Sequence, residues 1–241
     1  MSPKTITEII AKLSDDQREW LVKTGFKDLL SFTLTQVPHE LAYKLVAAYN
    51  IETQSLELGD KKINITEKDV ESVLGFPRGS NPLQFNQQTA AVRDWEAQFK
   101  DKTRSRIQTT DVTKKIKEEK TASENFKRSF LVMLGNTLIG QSKDAYAVRE
   151  LAGIEGDLNK QHNYNWCSYV LARQNTAIQA WHDKPTNPFT GPLLFIVVSI
   201  RFQKIVLNWI CIILPFCSIC VTKPETIVLH YSHIYVTVAL D

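Results

Sequence analysis

The sequence predicts a mainly α-helical protein with one small β-hairpin and an irregular hydrophobic C-terminal tail. Through most of the chain, apolar residues recur at the three- and four-residue spacing of amphipathic helices. Ser, Thr and Gly stand where such helices begin and end. One stretch, residues 56–65, shows the two-residue alternation that is typical of paired strands.

The composition is that of a globular protein rather than of a strongly basic or disulfide-bonded one. Of 241 residues, 43% are hydrophobic and 23% are charged, and the net charge is +3. Such a small positive excess gives little drive for binding phosphate backbones. The N-terminus lacks a secretory pattern, and the four cysteines lack the spacing of a secreted disulfide framework. We therefore expect an intracellular protein with reduced thiols.

Composition divides the chain into four predicted segments. Residues 1–80 form a capped helical unit that contains the hairpin. Residues 81–125 form a charged connector, and residues 126–198 a second helical unit. Residues 199–241 form the apolar tail.

The first strongly signalled helix follows Ser14, its expected N-cap. Gln17 stands three residues later and completes a capping box. Trp20 falls on the apolar face and is expected in the core. Gly25 is expected to end the helix in a left-handed conformation, so that Phe26 folds back on the last turn.

A second helix and the hairpin follow. Pro38 is expected as the first helical residue, because its fixed φ suits that position. Leu56 and Ile63 then alternate with polar neighbours on either side of Gly59–Asp60. This pattern predicts two strands joined by a tight turn.

A third helix comes directly after the hairpin. Thr66 is its expected N-cap, and the Asp69 carboxylate is expected to reach back to the N-cap amide. Apolar and turn residues then predict the buried face and the stop of this helix: Val70, Val73, Leu74, Gly75, Phe76 and Pro77.

The turn Gly75-Phe-Pro-Arg-Gly79 has two interpretations. An anion site would need backbone amides at the start of a helix, where the helix dipole is positive. This glycine pair lies at the end of a helix, so a structural turn is favoured. Arg78 is expected to lie on the surface, where it could contact a partner.

The connector carries a basic cluster within a run of mixed charge. The cluster could contact nucleic acid or act as a nuclear-import patch, and its residues are Lys102, Arg104, Arg106, Lys114, Lys115 and Lys117. Mixed-sign runs more often form the solvated face of a helix, which is the favoured interpretation.

Two further helices are predicted in the segment 126–198. Phe130 and Leu134 fall at helical spacing within an apolar run, which indicates a buried helix. Another long helix is expected to begin near Asn163 or Asn165. It carries an aromatic stripe that includes Trp166, and core packing is favoured over ligand stacking.

These features occur in an order that resembles the plant mobile domain family. The residues that carry the resemblance are Ser14, Trp20, Gly25, Phe26, Pro38, Thr66, Asp69, Val70, Leu74, Gly75, Phe76, Pro77, Gly79 and Trp166. Three later blocks, Phe126–Phe130, Tyr164–Trp166 and Gly191–Phe195, extend the resemblance, which runs from about Leu13 to Val198.

The resemblance implies a helix-rich nuclear module of transposon-derived plant sequences, without an established enzymatic activity. The family is sometimes labelled aminotransferase-like, but no signature here marks a Schiff-base lysine, and no cofactor is expected. Longer relatives often carry a cysteine protease. Cys167 has no recognisable protease signature around it, so an enzyme fragment is disfavoured.

The tail has three interpretations. The favoured one is a retained intron translated to a stop codon, because the resemblance ends at Val198–Ser199, a dipeptide that a plant splice donor encodes. The second is a membrane segment over Ile205–Val221, 17 mostly apolar residues at the short limit for a span. The third is a metal site whose spacing does not suit a zinc finger: Cys217, Cys220, His230 and His233.

Together these features predict a non-catalytic macromolecular-interaction module with an unidentified protein partner. Two alternatives stay open. One is DNA binding through the basic connector, and the other is membrane attachment through the tail.

Overall fold

The computed structural model describes residues 3–99, 106–140, 146–202, 219–223, 226–231 and 234–239. Residues 1–199 form one compact unit and residues 200–241 a second. The predicted fold class is confirmed, because the described residues are mainly helical and the first unit contains one small antiparallel sheet.

The first part of the chain folds into helices α1 to α4 and strands β1 to β3. Their bounds are α1 Lys4–Ile10, α2 Asp15–Lys23, α3 His39–Ala47, β1 Tyr49–Asn50, β2 Ser55–Leu58, β3 Lys61–Asn64 and α4 Glu67–Leu74. A 3-10 turn over Lys27–Ser31 follows α2. The strands pair antiparallel in the order β1-β2-β3.

The rest of the first unit is helical and leads into α9. The helix bounds are α5 Ala90–Ala97, α6 Thr109–Glu118, α7 Glu124–Leu134, α8 Trp166–Asp183 and α9 Leu193–Phe202. Helix α7 continues into a π-helical turn over Gly135–Ile139. Two 3-10 turns, Glu150–Gly153 and Gln161–Asn163, precede α8.

Side-chain caps fix the starts of α2 and α4 as the sequence predicts. The Gln17 N–H donates to Ser14 Oγ at 3.3 Å, and the Ser14 N–H donates to Gln17 Oε1 at 3.1 Å. At α4, the Thr66 N–H donates to Asp69 Oδ2 at 2.7 Å. These side chains satisfy amides near the helix start that have no intrahelical acceptor.

Two features of this region differ from the sequence prediction. Pro38 is the N-cap of α3 rather than its first helical residue, because its ψ of 95° is extended; the Ala42 N–H donates to the Pro38 carbonyl at 3.0 Å. The predicted hairpin also gains a third strand, since β1 pairs with β2 and places Tyr49 opposite Leu56.

Helix α4 packs against α8 through a narrower face than the sequence suggests. Val70 and Leu74, four residues apart, are buried, whereas Val73 is only half-buried. Residues spaced by four lie one above the other on a helix, so Val70 and Leu74 form the fully buried stripe of α4.

Helices α5 and α6 lie in the predicted connector and contribute to the core. Val92 and Trp95 of α5 are buried, as are Val112 and Ile116 of α6. Helix α6 packs against both α1 and α7. The connector therefore belongs to the same compact unit as the segments on either side of it.

Helix α7 lies at the centre of the first unit, and all its residues from Phe126 to Leu134 are buried. The Trp20 ring meets Phe126 and Phe130 edge-on at centroid distances of 5.9 and 5.8 Å. The Trp20 indole N–H donates to the Leu158 carbonyl at 3.0 Å. One side chain of α2 thus links α7 to the loop before α8, and its truncation to Ala is expected to cost about 3–5 kcal/mol.

The described residues of the second unit form three antiparallel strands that the sequence did not predict. They are β4 Ile219–Lys223, β5 Thr226–Tyr231 and β6 Ile234–Ala239, in that order. Cys220 stands opposite Val228 in β5, and His230 stands opposite Tyr235 in β6.

Candidate functional site

Three of the residues that carry the resemblance form one aromatic cluster inside the first unit. The cluster consists of Phe26, Phe76 and Trp166, whose rings meet edge-on at centroid distances of 5.2 to 6.3 Å. All three side chains are at most 1% exposed. Edge-to-face pairs of this kind add to the energy of burial. These motif positions therefore form a core that joins the ends of α2 and α4 to the start of α8.

Close contacts with neighbouring segments explain why both ends of the Gly75–Gly79 turn are glycine. Gly75 has a φ of +64°, and a Cβ at this position would collide with the Asp28 side chain. A Cβ at Gly79 would collide with the Asn163–Tyr164 backbone, and the Gly79 N–H donates to the Tyr164 carbonyl at 3.0 Å. A side chain at Gly79 would separate the turn from the segment before α8, and one at Gly75 would press on the 3-10 turn after α2.

The start of α8 uses its own backbone amides within the protein. The Trp166 N–H donates to the Pro77 carbonyl at 3.1 Å, and the Ser168 N–H donates to Asn165 Oδ1 at 2.8 Å. Asn165 is thus the N-cap, as the sequence indicates. Arg78 donates from Nε to Glu71 Oε2 at 3.0 Å and is half-exposed. These contacts favour a structural function for the turn over anion binding.

Cys167 lies beneath this turn and is fully buried. Its Sγ–H donates to the Phe76 carbonyl at 3.3 Å. Burial raises the pKa of the thiol to about 12, and the nearby Glu71 and Glu67 carboxylates add to this, while Arg78 opposes it. The thiol is therefore protonated at neutral pH, whereas a nucleophilic cysteine requires the thiolate.

The predicted basic cluster has acidic neighbours where the structure describes it. Lys102 and Arg104 lie outside the described residues, and Arg106 is exposed. On α6, the Lys114 and Lys115 ammonium groups lie 3.8 and 3.2 Å from Glu118 carboxylate oxygens, and Lys117 lies 3.9 Å from Glu8. The described part of this surface therefore carries both signs of charge.

The candidate metal ligands fall in the second unit. Cys217 and His233 lie outside the described residues, whereas Cys220 and His230 belong to the neighbouring strands β4 and β5. Within the part of the chain that the structure describes, no group of three or more His, Cys, Asp or Glu residues is placed to hold a metal ion. Ile205–Val221, the predicted membrane segment, lies mostly outside the described residues. No helix among the described residues is long and apolar enough to cross a bilayer.

An open cleft of about 320 Å³ lies over Trp20, and we take it as the candidate functional site. Its walls come from α2, from the start of α7 and from the loop before α8. The lining residues are Asp16, Glu19, Trp20, Lys23, Ala122, Lys127 and Asn159. Trp20 packs against the aromatic rings of α7 and donates a hydrogen bond to the loop, so the same side chain forms part of the cleft and holds its walls together.

Lys127 is the most unusual of the lining residues, because its side chain is only 11% exposed. Its ammonium lies 3.6 Å from Glu124 Oε1, and that glutamate is 62% exposed. This separation exceeds a hydrogen bond. The apolar stem of Lys127 is packed in the protein while its ammonium keeps contact with solvent, so a ligand that enters the cleft can reach it.

The acidic groups of the cleft already have partners. Asp16 Oδ2 accepts a hydrogen bond from the Ala122 N–H, which ties α2 to the segment before α7. Glu19 forms an ion pair with Lys23 one turn along α2. Among the charged residues that line the cleft, Lys127 is the one whose charged group has no partner within hydrogen-bond distance in the described part of the chain.

The sequence did not identify Lys127 as a site residue. It lies within the Phe126–Phe130 block, which carries part of the resemblance to the plant mobile domain family. A signal was present, because Lys127 and Arg128 interrupt an otherwise apolar helix, and charged residues in a buried helix usually have a specific partner.

The fold and the site define a small, mainly helical protein with a charged cleft over a buried tryptophan. The chain belongs to the family described as Domain of unknown function (DUF8566), whose model matches residues 1–197. The match includes the aromatic cluster and the whole cleft. Comparisons with curated proteins and with solved structures found no match.

Proposed function

We propose that this protein is a non-catalytic macromolecular-interaction module of a plant mobile element, or of a domesticated relative, and that it binds a protein partner in the nucleus. The plant, nuclear and mobile-element parts of this proposal rest on the resemblance to the plant mobile domain family. The observation that carries the interaction part is the cleft over Trp20. Its walls are joined by hydrogen bonds and ring contacts, so a partner meets a preformed surface.

The burial of the motif residues supports a scaffold function. Phe26, Phe76 and Trp166 fill the core rather than a pocket. The one cysteine considered as a nucleophile, Cys167, is buried with its thiol protonated. Both observations favour a binding module over an enzyme fragment.

The surface of α6 gives less support to nucleic-acid binding. Affinity for a phosphate backbone grows with the number of uncompensated Lys and Arg contacts. On α6, Lys115 and Lys117 lie beside Glu118 and Glu8. DNA binding is therefore the less favoured alternative. The dependence of DNA affinity on salt concentration tests it.

The proposed function is tested by the size of the protein in nuclear extracts. The tagged full chain is expressed in plant cells, and the extract is fractionated by gel filtration with in-cell crosslinking. We expect elution in a complex well above 27.5 kDa, the mass of the chain. Elution of all the protein as a monomer, with and without crosslinking, contradicts the proposal.

Two surface variants locate the interaction. Val22 on α2 is 52% exposed, so Val22→Glu is expected to weaken the complex while leaving the fold intact. Lys68→Glu on the exposed face of α4 is the matched control and is expected to leave the complex unchanged. Equal behaviour of the two variants would place the interaction elsewhere on the molecule.

A further inference from the structure

The cleft over Trp20 offers a more specific conclusion about what it binds. We propose that it receives a single carboxylate from an acidic segment of the protein partner, with Lys127 as the anchoring residue. This inference rests on the proposed function, because it names the chemistry of the partner at the same site.

The unfilled hydrogen-bonding capacity of Lys127 supports an anionic ligand. Its ammonium can donate three hydrogen bonds. Among the described residues its nearest acid is Glu124 at 3.6 Å, which is too long for a hydrogen bond. A carboxylate that enters the cleft would accept a short, charge-assisted hydrogen bond in a partly desolvated place, where such bonds are strongest.

The neighbouring acids favour a carboxylate over a phosphate. Asp16 and Glu19 both line the cleft, and Lys23 is paired with Glu19. A phosphate group brings a charge of nearly −2, whereas a carboxylate brings −1. The single charge of Lys127 balances one carboxylate, and the nearby acids leave the second charge of a phosphoserine uncompensated.

A second donor lies on the same cleft. Asn159 also lines it, and its side-chain amide can donate a hydrogen bond to the same carboxylate. Val22 is an apolar residue on α2, the helix that carries Asp16 and Glu19, and is 52% exposed. Leu residues beside the Glu would give a ligand apolar groups for contact with this helix.

Peptide binding to the full chain tests this proposal. The probes are three fluorescein-labelled peptides of equal length with blocked ends, in which one position between two Leu residues is Glu, Gln or phosphoserine. Fluorescence anisotropy measures the affinity of each. We expect the Glu peptide to bind at least about tenfold more tightly than the Gln peptide, because one charge-assisted bond contributes this much.

Lys127→Met keeps an apolar stem of similar length and removes the charge. It is expected to abolish the preference for Glu over Gln. Lys114→Met, at a 76% exposed site on α6, is the matched control and should keep the preference. Thermal unfolding checks the fold of both variants. If Lys127→Met does not fold, Asn159→Ala takes its place and is expected to weaken the Glu peptide severalfold.

Each outcome has a defined meaning. A preference for Glu that survives Lys127→Met, or no preference in the unchanged protein, overturns the inference. Tighter binding of the phosphoserine peptide overturns the carboxylate assignment in favour of a phosphopeptide. A nuclear complex that persists in Lys127→Met, together with no preference for the Glu peptide in the unchanged protein, refutes this inference alone and leaves the proposed function standing.

Discussion

Replacing Gly75 by Ala tests whether the turn after α4 requires glycine for packing as well as for its backbone conformation. Gly75 has a φ of +64°, and an L-residue in this region is strained by about 1–2 kcal/mol. The added Cβ would also collide with the Asp28 side chain. Overpacking of this kind costs about 1–3 kcal/mol. The free energy of unfolding should therefore fall by about 2–5 kcal/mol in total.

Gly59 provides a matched control in the same protein. Its φ is +63°, nearly identical to that of Gly75, but it lies exposed in the turn between β2 and β3. Gly59→Ala should therefore carry the backbone strain alone, about 1–2 kcal/mol. The difference between the two variants measures the cost of the collision with Asp28.

The assay is urea denaturation of the full chain followed by tryptophan fluorescence. The slope of the unfolding free energy on urea concentration should stay constant, so that the variants are compared on one unfolding transition. In an Asp28→Gly background the collision partner is absent, and Gly75→Ala should then cost no more than Gly59→Ala. Equal losses for the two glycine variants in the original background would refute the packing explanation.

Three other predictions concern pH, nucleic acid and the tail. Burial raises the pKa of the Cys167 thiol and of the Tyr49 hydroxyl to about 12, so the unfolded chain ionises first. The stability that these groups contribute is present below the unfolded pKa and should be lost as the pH rises from about 9 through 12, as measured by the urea midpoint. Acids lie beside the lysines of α6, so the affinity for duplex DNA should depend only weakly on salt concentration. A plot of log affinity against log salt concentration should have a slope shallower than about −3, and a steeper slope favours the DNA alternative. Full-length transcripts should be spliced across the codons for Val198 and Ser199, and transcripts that read through predominantly would make the tail a genuine segment.

Local chemistry made several elements predictable from the sequence. The caps at Ser14 and Thr66 depend on residues three positions away, so their geometry is set within one helical turn. The hairpin around Gly59 depends on a two-residue turn and on alternation of the flanking residues. The caps and the hairpin are confirmed because each depends only on residues that are close together in the sequence.

Features that depend on distant segments were not predictable in the same way. Strand β1 has two residues, and it forms because Tyr49 meets Leu56 across the sheet. The burial of Lys127 follows from the position of α7 at the centre of the unit, whereas a lysine alone indicates a surface site. The cleft combines residues from α2, α7 and the loop that contains Asn159, and no local pattern brings these together.

The whole cleft lies within the part of the chain that the family model matches. The family match covers residues 1–197, and the first compact unit ends at Ser199. These two boundaries come from different properties and agree within two residues. All the lining residues of the cleft, from Asp16 to Asn159, lie on the family side of that boundary. Changes in the tail should therefore leave the peptide affinity of the cleft unaltered, as measured by fluorescence anisotropy.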